Sequence, residues 1–237
     1  MEIHVPDHPV MTWKQFFVHM AIVVVGVLVA IALEQTVEWM HHQHQLHQLH
    51  EALDGDARKA MRDTDSVIRS QTAVADYLHT SALAEREAAR THKTFVLQPP
   101  PAMRFDIPGN AAWKAAKASG LVSLLPAEEV KAFGEIDTLV DTSDQCFTEA
   151  IQSRHDLHAL QDQFQRGNTY DLSSATPEEL LKLATMSERY RAALVTWVAM
   201  DVQLKGAERA ILNGERNLDE IERAEVEELN KPLPETK

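Results

Sequence analysis

From Phe16 to Leu33 the chain reads FFVHMAIVVVGVLVAIAL, with no charged residue and His19 as the one strongly polar side chain. A helix that lays one stripe on a soluble core keeps a polar face, and this segment has none. Its eighteen residues, at about 1.5 Å of rise each, cover about 27 Å, close to the hydrocarbon thickness of a bilayer. Trp13 and Trp39 flank it, as indoles at the two membrane interfaces do. The pattern predicts a transmembrane helix over 16–33 after a short N-terminal segment, 1–15. Gly26 and Ala30 add a small-x-x-x-small spacing that permits close helix approach.

A cleaved signal sequence is the competing reading, because Ala30-Ile31-Ala32 has small-x-small form. Against it, the preceding stretch sets Lys14 against Glu2 and Asp7, and no polar break separates the apolar run from that site. Retention as an anchor is expected. The first Lys or Arg beyond the span is Arg58, so the positive-inside rule puts Lys14 in the cytoplasm and the large domain outside.

Beyond the anchor the pattern is helical. No Gly or Pro lies between Val27 and Asp54, so the helix should run on through EQTVEWMHHQHQLHQLHEALD. After Gly55 helical spacing resumes with Ala57, Ala60, Thr64, Val67, Val74 and Leu78, to about Arg90. The stretch 94–110, TFVLQPPPAMRFDIPGN, cannot be helix interior and reads as an extended crossing loop. A short helix near 111–119 should follow, with Gly120 at its C-terminal cap. Pro126 then opens a long helix whose stripe is Val130, Phe133, Ile136, Val140, Phe147, Ile151 and Phe164, ending at Arg166-Gly167-Asn168.

Thr176, Pro177, Glu178 and Glu179 form a strong helix start. Leu183, Tyr190, Trp197, Leu204, Ile211 and Leu218 then recur every seven residues, each followed three later by Met186, Ala193, Met200, Ala207, Gly214 and Ile221. That is the packing seam of a long bundle helix or coiled coil, and its small residues imply a close neighbour. No alternating run predicts a sheet. The expected fold is all-α: one transmembrane helix, then an elongated antiparallel helical bundle over 34–230 and a frayed tail, 231–237.

Charge narrows the partners. The chain carries 23 basic and 36 acidic residues, a formal charge of −13, with no Lys/Arg cluster to displace counterions from phosphate. Nucleic acid is therefore not an expected partner, and the bilayer and other proteins are. Cys146 is the one cysteine, which excludes an intrachain disulfide or thiolate zinc site, and its apolar setting suits an inert thiol. The acidic residues read as solvated helix exteriors.

HHQHQLHQLH places His41, His42, His44, His47 and His50 within ten residues. His41, His44 and His47 step by three, so neighbouring pairs could share a metal ion. Glu38 with His41 is one Glu-x-x-His element of the di-iron type, without a second copy. A solvated juxtamembrane helix that gains charge on acidification is the simpler expectation. His155 and His158 form another pair three apart. No phosphate loop, nucleophile elbow or zinc-protease motif is present, so neither catalysis nor a cofactor is expected.

Two stretches, AIVVVGVLVAIALEQ and AWKAAKASGLVSLLPAEEV, resemble a group of bacterial single-pass membrane proteins of unknown function. Trp113, Ser119, Gly120 and Leu124 match that group's aromatic, Ser-Gly and leucine step into a helix. The resemblance covers about a seventh of the chain. It implies an N-terminal anchor with a helical extramembrane domain, and it carries no activity. Together with the charge asymmetry around the span, the expected location is a bacterial inner membrane with the domain in the periplasm. The expected role is a structural or accessory subunit acting through helix packing, with self-association or a protein partner. An extracytoplasmic ligand, pH or metal sensor is the alternative.

Overall fold

The computed structural model describes residues 12–105 and 109–234. Residues 1–11, 106–108 of the expected 94–110 loop and 235–237 of the expected tail lie outside these. The chain divides into two units, Met1–Gln48 and Leu49–Lys237. One 79-residue helix, α1 (Trp13–Thr91), supplies the described structure of the first unit and continues into the second. Gly55 is helical and unbroken, which corrects the expected pause there.

In the first unit every residue from Thr12 to His44 is exposed, including the apolar run 16–33. This is one helix long and apolar enough to cross a membrane. Trp13, Phe16 and Phe17 cluster at its start, with ring centroids 5.7–6.0 Å apart. His19 Nδ1 lies 2.8 Å from the Gln15 carbonyl, so a ring N–H there would satisfy both groups inside an apolar stretch.

Among its described residues the second unit is all-α apart from one small sheet. It contains the rest of α1, then α2 (Ala111–Ser119), α3 (Ala127–Gln161), α4 (Pro177–Leu212) and α5 (Leu218–Leu229). Paired positions fix their directions. Gln71 meets Asp201 and Glu85 meets Ser187, so α1 and α4 run antiparallel. Ser143 meets Trp197 while Asp156 pairs with Arg189, so α3 also opposes α4. His50 at one end of this unit's α1 meets Glu129 at the start of α3. Hence α1 and α3 are parallel, which corrects a purely antiparallel bundle and explains the long return stretch from His92 to Asn110.

Local chemistry sets the helix ends. Thr176 and Glu179 form a reciprocal capping box with Pro177 at the first helical position. Gly120, in the left-handed conformation at φ 78°, closes α2. Along α4 the expected seam places Leu183, Tyr190, Trp197, Leu204, Ala207 and Ile211 in the core, while Met186, Ala193 and Met200 are half-buried. It does not continue. Gly214 adopts φ 85°, a conformation that favours glycine, and the chain turns back. Asn217 caps a new helix with Glu220, and Leu218 is its half-buried first residue. The turn 213–217 preserved the seven-residue spacing while ending the helix.

A three-stranded antiparallel sheet, order β1-β3-β2, was not expected. Its strands Val96–Leu97, Gln165–Arg166 and Thr169–Asp171 are two or three residues long, too short to show alternation. Leu97 opposes Tyr170, joining the return stretch to the turn after α3. Lys231, expected in a frayed tail, instead lies 2.7 Å from Glu228.

Candidate functional site

Beneath the three prolines lies a cavity of about 390 Å³ within the second unit. Val74, Tyr77 and Leu78 of α1 form one wall, and Arg154, Leu157, His158 and Gln161 of α3 another. Both sets have the three-and-four spacing of a single helix face. Pro99, Pro100, Pro101, Met103 and Phe105 form the roof, and Tyr170 of β3 and Tyr190 of α4 close the rest. The chain has three tyrosines, and all line this one cavity.

The roof is held at several points. Tyr77 donates to the Gln98 carbonyl at 2.5 Å, and the Arg104 amide donates to Ser70 Oγ at 3.0 Å. The Leu172 amide donates to the Phe95 carbonyl at 3.2 Å. Prolines restrict the segment further by fixing φ. Tyr190 contributes a long contact to Met103 Sδ, 3.8 Å.

Arg154 Nε donates to His158 Nε2 at 3.4 Å, which leaves His158 Nδ1 protonated and facing Tyr170 Oη at 3.5 Å. The Arg154 guanidinium also lies over Phe105, 5.5 Å from the ring centroid. Burial, followed by the Arg154 charge, pushes His158 below its ordinary value. Burial also pushes Tyr77 and Tyr190 up to about 12. At neutral pH the cavity therefore offers neutral hydroxyls, a neutral imidazole and one guanidinium. Such a set can hold hydrogen bonds, stacking contacts and a negative charge.

The acidic residues correct another expectation, since several are buried rather than solvated. Asp201, 2% exposed, accepts from Gln71 at 3.0 Å and from Ser143 at 2.8 Å, and Trp197 donates to Ser143 at 3.1 Å. This network ties α1, α3 and α4 together. Glu85 is fully buried and accepts from Ser187 at 3.3 Å, and desolvation pushes its carboxyl up to about 8. Desolvation, with Asp201 and Asp56 nearby, raises Glu208 to about 9. Glu208 Oε2, Trp113 Nε1 and Asn110 Oδ1 lack partners and belong to residues lining one void of about 30 Å³. A water molecule fits both that size and that donor–acceptor set. Glu228 is the opposite case, because Lys231, Lys205 and Arg209 outweigh its burial and hold it down to about 2.

The residues expected from the sequence are spread differently. His41, His44 and His47 lie exposed on α1 in the first unit, where Gln48 Nε2 lies 2.9 Å from His44 Nε2. Among the described residues no three His, Cys, Asp or Glu side chains come close enough to hold a metal ion. His50 turns instead to Glu129, 2.6 Å away. Trp13, Gly26, Ala30 and Trp39 are exposed along the apolar helix. Cys146 is half-buried against the main hydrophobic cluster, and burial raises its thiol. Tyr77, Arg154, Tyr170 and Tyr190 were not foreseen as one site. The legible signals were the proline run and the face Arg154-Leu157-His158-Gln161.

No family model, curated protein or solved structure matches the chain. The functional reading therefore rests on its own residues.

Proposed function

We propose that this chain is a non-enzymatic single-pass protein of a bacterial inner membrane, whose periplasmic helical domain serves as a structural or accessory subunit. One observation carries the reading. The apolar residues 16–33 are exposed on every side of their helix, and hydrocarbon is the solvent that lowers the free energy of such a surface. Trp13 and Trp39 at its ends support an interfacial placement. The self-contained core of the second unit supports a domain that works outside the bilayer by contacts with a partner or a second copy.

The test is gentle solubilisation of native membranes followed by affinity isolation and mass measurement of the intact assembly. A stoichiometric partner or a defined homo-oligomer is expected after carbonate-washed membranes have retained the protein. A carbonate-soluble chain, or one that stays monomeric and partnerless in mild detergent, would overturn the reading.

The cavity favours a second reading, a ligand sensor that signals through a partner. About 390 Å³ lies within the range of small-molecule sites, and aromatic walls with few polar groups are their usual lining.

A further inference from the structure

We infer that the cavity beneath Pro99–Pro101 binds a small aromatic carboxylic acid, its ring among the tyrosines and its carboxylate on Arg154. This rests on the second, ligand-binding reading of the domain. Three observations converge on that class of ligand.

The first is charge. Among the described residues that line the cavity Arg154 is the one with a permanent charge, and none is Asp or Glu. That is a local inversion in a chain with a formal charge of −13. Asp156, one of the nearby acids, is engaged by Arg189 at 3.7 Å. Asp162 lies exposed beside His158 and Tyr170 without lining the cavity.

The second is unused hydrogen-bonding capacity. Arg154 uses Nε on His158, and neither terminal nitrogen of its guanidinium makes a hydrogen bond or ion pair among the described residues. Two parallel N–H groups match the two oxygens of a carboxylate. Gln161 is 4% exposed, lines the cavity and makes no side-chain hydrogen bond among the described residues. Its amide is therefore free to donate to, or accept from, polar atoms of a molecule held in the cavity.

The third is the wall. Tyr77, Tyr170, Tyr190 and Phe105 present four rings, with Met103 and the prolines between them. Rings stack and meet edge-to-face with another flat ring, and sulfur adds a soft contact to its edge. An aliphatic tail would gain area but not these directed contacts. Because the roof is tied to α1 and β3 before any ligand arrives, little ordering entropy would oppose binding.

The test uses the full-length protein in detergent micelles and three probes: 2-naphthoate, the neutral 2-naphthylmethanol, and decanoate. Binding is followed by calorimetry and by tyrosine fluorescence, with Arg154→Gln and Arg154→Lys compared against the unaltered chain. Naphthoate should bind at least tenfold more tightly than either other probe. Arg154→Gln should remove that preference, and Arg154→Lys should keep part of it, while far-ultraviolet circular dichroism stays unchanged in both. Equal binding of the acid and the alcohol, or naphthoate binding unchanged in Arg154→Gln, would overturn the acid assignment and leave a ligand cavity standing. Failure of all three probes to bind the folded, unaltered chain would overturn the ligand site itself.

Discussion

A Cβ placed on Gly206 of α4 would lie 2.6 Å from the backbone carbonyl oxygen of Ala224 on α5. It would also lie 2.9 Å from Glu225 Cα, so backbone rather than a flexible side-chain tip stands in its way. Glycine here lets the two helices touch. Replacing glycine by alanine inside a helix ordinarily gains up to about 1 kcal/mol of helix propensity. The clash should win, because α5 must move bodily, and overpacking of this kind costs about 1–3 kcal/mol. Gly206→Ala should therefore lower the urea midpoint of the domain. A raised midpoint would show that α5 is free to shift.

Trp197 is fully buried, 5.2 Å from the Phe147 ring, with its N–H on Ser143. Trp197→Ala should cost about 3–5 kcal/mol, the range for removing a large aromatic side chain from a core. Ser143→Ala should cost less, about 1–3 kcal/mol, by leaving the indole N–H without its acceptor and removing one donor to Asp201. Chemical denaturation of both variants checks the order. A loss below about 0.5 kcal/mol for Trp197→Ala would place that residue among ordinary surface substitutions.

The buried carboxyls make stability depend on pH in two opposite ways. Glu85 and Glu208 sit at about 8 and about 9 when folded, against an ordinary 4.5. The unfolded chain ionises first, so their contribution is fully present below about 4.5, declines as pH rises, and is gone above the folded values. Glu228, at about 2 against 4.5, contributes above about 4.5 and loses that contribution as pH falls. Stability should peak in mildly acidic solution. Glu208→Gln should flatten the alkaline limb, and Glu228→Gln the acidic one, in thermal melts across pH. An alkaline limb unchanged in Glu208→Gln would show that Glu208 ionises freely in the folded state.

Protease added to spheroplasts should digest the helical domain and spare a short fragment containing the apolar helix. The proposal of a periplasmic domain rests on Lys14 against an opposite flank without Lys or Arg before Arg58. Digestion only after lysis would reverse the orientation.

Much of the helical layout was legible because its signals are local. Thr176-Pro177, Pro126 and Gly120 mark helix ends through nearest-neighbour chemistry, and the structure places ends at each. Gly55 misled because one glycine lowers helix propensity only modestly, and neighbouring turns carry the helix across it. The seam misled beyond Ile211, since a turn of the right length preserves spacing, although Asn213-Gly214 and the Asn217/Glu220 pair were readable as a stop and a new start. The tyrosine-lined cavity could not be read, because Tyr77, Tyr170 and Tyr190 sit on three elements with no shared period.

By itself, the sequence determined the all-α class, the long apolar helix near the N-terminus and the main helix starts and stops, all set by residues within a few positions of one another. Tertiary structure alone decided which carboxylates are buried, that α1 and α3 run parallel, and that the proline stretch roofs a cavity. Those outcomes depend on packing between residues far apart in the chain. Burial of Glu85 or Asp201 is a property of the facing helix, and no local pattern in a charged residue's own segment encodes what will cover it.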